Sequence, residues 1–218
     1  NTPGAFTEPV SDTVLGLMLC FARNIVQFDR EMKEGKRNKT PAHSLDELTL
    51  GIIGLGNIGT AVARKASAFG MKIYGNDILK IPQEILDRHN ITLATKDEIY
   101  ERGDFISLNV SLTREAYHMI TLDAFKKMKK SAVLINTSRG SVVKNEDLVK
   151  ALEEEMIRGA GLDVYEVEPP PLDSPLRRYN NCILSPHNAN SSHKYWEYVH
   201  QNTLNNLLKG LSNERGSL

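Results

Sequence analysis

The chain has 218 residues, 27 Lys and Arg against 27 Asp and Glu, and a net charge of zero. That length buries one good-sized core, or one domain with a fragment of another. The charge balance argues against a nucleic-acid or acidic-membrane partner, because counterion release needs clustered cations. No apolar run approaches the roughly 20 residues needed to span a bilayer. Cys20 and Cys182 lie in apolar surroundings without metal-ligand spacing, so no metal site is expected; free thiols in a reducing, cytoplasmic setting are.

The opening Asn1-Thr2-Pro3-Gly4 carries no initiator Met and reads as a mid-protein connection, with something upstream missing. From residue 8 to about 33, Val10, Val14, Leu17, Met18, Phe21 and Ile25 recur at three- and four-residue steps, which predicts one amphipathic helix. Thr7 is the expected N-cap, with Pro9 in the first turn. Short apolar runs then predict strands over residues 49–53, 71–74, 91–94, 105–108, 132–135, 161–164 and 182–184. Helices are expected between most of them, among them 58–69, 122–128 and 145–156. Strands alternating with helices predict an α/β fold, a doubly wound parallel sheet of the Rossmann type. Residues 5–190 form that domain, and 191–218 a C-terminal amphipathic segment, helical over about 194–211.

Gly54-Leu55-Gly56-Asn57-Ile58-Gly59 follows an apolar strand directly and opens a helix, the context that gives a G-x-G-x-x-G pattern its meaning. Gly54 makes the turn, Gly56 lets a pyrophosphate approach the backbone, and Gly59 lets helix and strand pack closely. The backbone N–H groups at Asn57 and Ile58 open the helix and offer partial positive charge to the phosphates. Asp77, at the end of the second strand, suits the adenosine ribose hydroxyls and repels a 2′-phosphate, so the expected cofactor is NAD rather than NADP. Lys80 alone makes a poor phosphate clamp.

Three charged residues follow later strands: Arg139, Glu168 and His187. The ligand crevice of an open parallel sheet lies outside the carboxyl ends of its strands, so all three could meet there. Their surroundings are Ile135-Asn136-Thr137-Ser138-Arg139-Gly140, Gly159-Ala160-Gly161-Leu162-Asp163-Val164 with Glu168-Pro169 beyond, and Ser185-Pro186-His187. With the glycine motif and Leu148-Val149-Lys150-Ala151-Leu152, these segments run in order, and the chain resembles the D-isomer-specific 2-hydroxyacid dehydrogenases.

That resemblance implies a nucleotide-binding domain, preceded in relatives by a substrate domain against which residues 191–218 would return. It implies NAD-dependent hydride transfer between a small 2-hydroxy acid and its 2-keto acid, and a homodimer. Arg139 would hold the substrate carboxylate, and His187 would exchange a proton with the keto oxygen. Glu168, the residue directly before proline, would pair with His187 and hold it protonated; it is preferred to Glu166 for that position. Thr113, Thr137 and Asp163 would face the cofactor. The long apolar helix over 8–33 supports the dimer.

Asn109-Val110-Ser111-Leu112-Thr113 departs from the His-x-Pro-Leu-Thr usual in relatives, and Asn188-Ala189-Asn190-Ser191-Ser192 from their small glycine-containing stretch. Both leave the substrate open. The triad also recurs in C-terminal-binding protein corepressors, which sense NAD(H), and in phosphite dehydrogenases. Formate dehydrogenases carry Gln where Glu168 stands. His43, His89, His118, His193 and His200 show no partner pattern, and Trp196 is expected to pack.

Overall fold

The computed structural model describes residues 4–214. The chain's first three residues and residues 215–218, the end of the predicted C-terminal segment, lie outside that range. Chain order is α1 (Thr7–Ala22), α2 (Ile25–Lys33), β1 (Thr49–Ile53), α3 (Asn57–Ala68), β2 (Lys72–Asn76), α4 (Gln83–Arg88), β3 (Ile91–Leu93), α5 (Lys96–Arg102) and β4 (Phe105–Leu108). It continues through α6 (Leu122–Lys127), β5 (Val133–Asn136), α7 (Asn145–Glu153), β6 (Gly159–Leu162) and β7 (Cys182–Leu184) to α8 (His193–Glu214).

The seven strands are all parallel, in the order β3-β2-β1-β4-β5-β6-β7. This is the doubly wound sheet expected from the alternation of strand and helix. Its topological switch lies between β1 and β4, where a crevice opens at the strand carboxyl ends. Alternation along each strand divides the core. Leu50, Ile52, Phe105, Val133 and Ile135 face Val14, Leu17, Met18 and Val62. Ile53, Ile106, Leu108 and Leu134 face Ile99, Phe125, Leu148 and Leu152 on the other side.

One predicted helix is two. The chain breaks at Arg23 and Asn24, and α1 and α2 diverge by 57°. Asn24 takes a left-handed φ of 54°, which Asn tolerates better than most residues. Arg158 seals the break by donating from Nη2 to Phe21 O at 2.8 Å and to Asn24 Oδ1 at 2.6 Å. The N-cap of α1 is Phe6 rather than Thr7, and it makes no side-chain cap.

The apolar face of α1 is buried within this chain, against α3 and β5. Ile25, beyond the break, is half exposed. The apolar excess that suggested a dimer through this helix is therefore satisfied internally over α1. Strand β6 starts and ends two residues earlier than predicted. A Cβ on its Gly161 would lie 2.9 Å from Ile135 Cδ1 and 3.3 Å from Leu17, so the glycine lets α1 pack closely on the strand. Among the described residues no single helix is long and apolar enough to cross a membrane.

Candidate active site

The glycine loop leaves β1 at the switch point. Gly54 has a φ of +94°, and a Cβ on it would lie 2.5 Å from Asn109 O, the first residue after β4. A Cβ on Gly59 would lie 1.9 Å from Gly54 O, so α3 starts almost in contact with the turn that precedes it. A Cβ on Gly56 would meet nothing. That open flank beside a helix N-terminus without a side-chain cap is the geometry a pyrophosphate needs. The Asp77 carboxylate stitches the loop to β2, accepting from Leu55 N at 2.7 Å through Oδ2 and from Leu79 N at 2.8 Å through Oδ1. Each oxygen keeps acceptor capacity for a sugar hydroxyl.

Across the switch, Asn109 donates from Nδ2 to Ser107 Oγ at 3.0 Å. Its Oδ1 is buried and has no hydrogen-bond partner among the described residues. A buried acceptor left open beside the loop fits a site completed by a ligand donor. Thr113 is exposed and caps a local turn, its hydroxyl accepting from Ala116 N at 3.3 Å. Thr137 is buried at the end of β5.

Arg139 is presented by an Asx turn. Asn136 Oδ1 accepts from Ser138 N at 3.0 Å and Ser138 Oγ at 2.8 Å, while its Nδ2 donates to Arg139 O at 3.0 Å. The sequence signal for this role is local, since Asn closing a turn two residues on is a known habit of this side chain. The guanidinium is exposed and, among the described residues, makes one bond, from Nη1 to Ser138 O at 2.6 Å. Most of its donor fork is left for an anion.

Glu168 and His187 meet. His187 Nδ1 lies 2.6 Å from Glu168 Oε2. A carboxylate only accepts, so Nδ1 carries the proton and Nε2 is left to exchange one. Glu168 Oε1 accepts from Tyr165 N at 2.9 Å. Partial burial pushes the Glu168 carboxyl up, but the His187 and Tyr165 bonds and the charges of His187 and Arg139 outweigh it and hold the group below its ordinary value. A cleft of about 540 Å³ lies against the pair, bordered by Tyr165, Arg177, Leu184 and Pro186.

Two further residues set the His187 loop. Asp163 is 1% exposed, and its oxygens accept from Asn188 N and Ala189 N at 2.9 Å each. The residue expected to face the cofactor thus holds the backbone just after His187. The Tyr165 hydroxyl donates to Ser185 O at 2.8 Å, and burial pushes that phenol up to about 12. Nothing in the linear spacing marked Tyr165.

Two of the other histidines have local partners, at structural and surface positions, and one expectation is corrected. His118 has a partner: its Nε2 lies 2.5 Å from Glu166 Oε1, and its ring stacks on Tyr117 at 4.0 Å. His43 pairs with Glu47 at 3.0 Å on the surface. Trp196 does not pack: it is 51% exposed, because α8 has left the sheet behind.

Residues 15–189 match the family model described as "D-isomer specific 2-hydroxyacid dehydrogenase, NAD binding domain". The chain belongs to this family. A glyoxylate reductase from Korarchaeum cryptofilum is 41% identical over 215 residues, covering 95% of this chain and 64% of the relative. A D-3-phosphoglycerate dehydrogenase from Methanocaldococcus jannaschii is 40% identical over 195 residues, covering 88% of the chain and 37% of that protein. The NAD-complexed D-isomer specific 2-hydroxyacid dehydrogenase of Lactobacillus delbrueckii ssp. bulgaricus superposes with a TM-score of 0.89 at 29% identity, covering 98% of this chain and 69% of that one. A D-lactate dehydrogenase from Aquifex aeolicus complexed with NAD and lactic acid also gives 0.89 at 29% identity, covering 97% and 68%. The chain spans about 64% of the length of the first of these relatives.

Proposed function

We propose that this chain is the NAD(H)-binding part of an enzyme that interconverts a small 2-hydroxy acid and its 2-keto acid, with glyoxylate-type substrates foremost. The Glu168–His187 pair at 2.6 Å, set at the strand carboxyl ends within reach of the Arg139 charge, carries this reading. The residues present fit a dinucleotide. Gly54 to Gly59 and the start of α3 would hold the pyrophosphate, Asp77 the adenosine ribose, and the open Asn109 acceptor a donor on the same ligand. The bound cofactor supplies the hydride.

The chain's own residues supply position and protons. Arg139 grips the substrate carboxylate with the unused part of its fork. His187 gives a proton from Nε2 to the keto oxygen in reduction and takes it back in oxidation. Glu168 holds Nδ1–H, fixing the ring and favouring its charged form. Relatives named glyoxylate reductase support the substrate class.

Length and surface support two further parts of this reading. The chain covers 64% of a relative, and α8 leaves Trp196, Leu204, Leu207 and Leu211 about half exposed, as a helix would that returns onto the substrate-covering remainder. Ile25, Val26 and Met32 of α2 are also exposed and support a homodimer through α2. Both cysteines are free, in keeping with a cytoplasmic setting.

The test has two arms. NADH fluorescence on the 218-residue chain reads cofactor binding, and absence of binding at millimolar NADH overturns the proposal. In the full-length protein, His187→Gln should cut glyoxylate reduction by about 100-fold with NADH affinity kept. Undiminished turnover would remove His187 from its role.

A further inference from the structure

Glu166 stands two residues before Glu168 and turns away from the site. Its Oε1 accepts from His118 Nε2 at 2.5 Å, and its Oε2 accepts from Asn145 N at 3.0 Å, the first residue of α7. His118 is itself held, its backbone N donating to Ser141 O at 2.8 Å, and it has a φ of 49°. One carboxylate therefore ties the segment after β6 to two separate elements. The same segment is pressed on a third. A Cβ on Gly140, next to Arg139, would lie 1.8 Å from Tyr165 C and 2.3 Å from Glu166 N. The backbones carrying Arg139 and Glu168 thus touch at Gly140.

Beyond Glu166 the segment is exposed at Val167 and Glu168, so the aim of Glu168 depends on how firmly the part-buried Tyr165–Glu166 backbone is held. We infer that Glu166, with His118 as its partner, is a positioning residue: it clamps the Tyr165–Glu166 backbone against Gly140 and so sets Glu168 and His187 at their distance from Arg139. The inference deepens the proposed function and rests on it for its kinetic consequence, but its geometry is measurable without turnover. Neither Glu166 nor His118 needs to touch substrate or cofactor. Both act by fixing where Glu168 aims, which is how a displacement of about 1 Å away from the chemistry slows a reaction.

The experiment reads the Nδ1–H proton of His187 by NMR in the 218-residue chain, the signal being assigned by its loss in Glu168→Ala. Glu166→Ala should speed exchange of that proton with water about tenfold, since the segment loses two hydrogen bonds to a carboxylate. Glu166→Gln, which keeps an acceptor for Asn145 N, should restore most of the protection. NADH affinity should stay within about twofold in both, because the glycine loop is untouched. A merely structural role would lower Tm and leave His187 exchange unchanged. Should Glu166→Ala fail to fold, Glu166→Gln and His118→Ala decide on the same signal. Exchange within about twofold of wild type in every folded variant overturns the inference. In the full-length enzyme, Glu166→Ala should lower kcat about tenfold with KM for NADH unchanged. A wild-type enzyme inert on keto acids would sink the proposed function, and the exchange result would still decide the role of Glu166.

Discussion

Asp163 and Asn188 are joined side chain to backbone at 2.9 Å, and the second Asp163 oxygen repeats the bond one residue on, at Ala189. This buried carboxylate is the hinge pin of the loop whose preceding residue, His187, takes a φ of 55°. A side chain rarely holds that conformation unaided. Asp163→Ala orphans two buried N–H donors and should cost about 2–4 kcal/mol. Asp163→Asn should cost nearly as much, because its amide turns a donor toward one of those N–H groups. Urea unfolding at neutral pH measures both, and an Asn variant within about 0.5 kcal/mol of wild type would contradict this account.

The Glu168–His187 pair predicts a pH dependence with a definite sign. The folded Glu168 carboxyl titrates below its ordinary value of 4.5. It therefore binds its proton more weakly when folded than when unfolded, and it contributes stability above 4.5. That contribution is lost as pH falls from 4.5 through the lower folded value. The Tm advantage of wild type over Glu168→Gln should accordingly shrink as pH falls below about 4.5. An advantage that grows on acidification would show that the pair does not hold Glu168 ionised.

Asp77 pins Leu55 N, and the proposed ribose contact would use the lone pairs it keeps. Asp77→Ala should weaken NADH about tenfold, near 1.4 kcal/mol, and leave NADPH affinity unchanged or improved. Fluorescence titration with both nucleotides checks this. Equal losses for the two would assign Asp77 to loop support alone.

What could be read in advance follows from range. The strand from Thr49 to Ile53 and the glycines after it are local, and both were legible as an apolar run broken by residues that tolerate unusual backbone. The break at Asn24 was not, because Ile25 continues the helical period although the chain turns there. Glu168 and His187 were legible by family resemblance. Their pairing spans 19 residues, and no periodicity encodes it. Tyr165, Asn136 and the His118–Glu166 bond were missed for the same reason: each acts through a backbone group or a partner that only the folded sheet brings near. Asp163 was expected inside a strand and facing the cofactor; that it follows β6 and binds two backbone N–H groups beyond His187 was not legible.

Gly56 and Gly59 lie three residues apart in one motif, yet they should fail in different ways. A methyl on Gly59 would sit 1.9 Å from the Gly54 carbonyl oxygen, backbone against backbone, so α3 must move. Gly59→Ala should destabilise the chain by about 1–3 kcal/mol and lose nucleotide binding as a consequence. Gly56 has an ordinary φ of −69°, and its Cβ would meet nothing in the protein. Gly56→Ala should cost less than about 1 kcal/mol, the usual penalty for Ala at a helix N-cap. Its methyl would nevertheless occupy the flank left open for the pyrophosphate, so NADH binding should fall at least about tenfold in a chain that unfolds almost as wild type does. Urea unfolding and NADH titration on the same two proteins separate the cases. A Gly56→Ala chain that binds NADH normally would mean that the open flank faces only water.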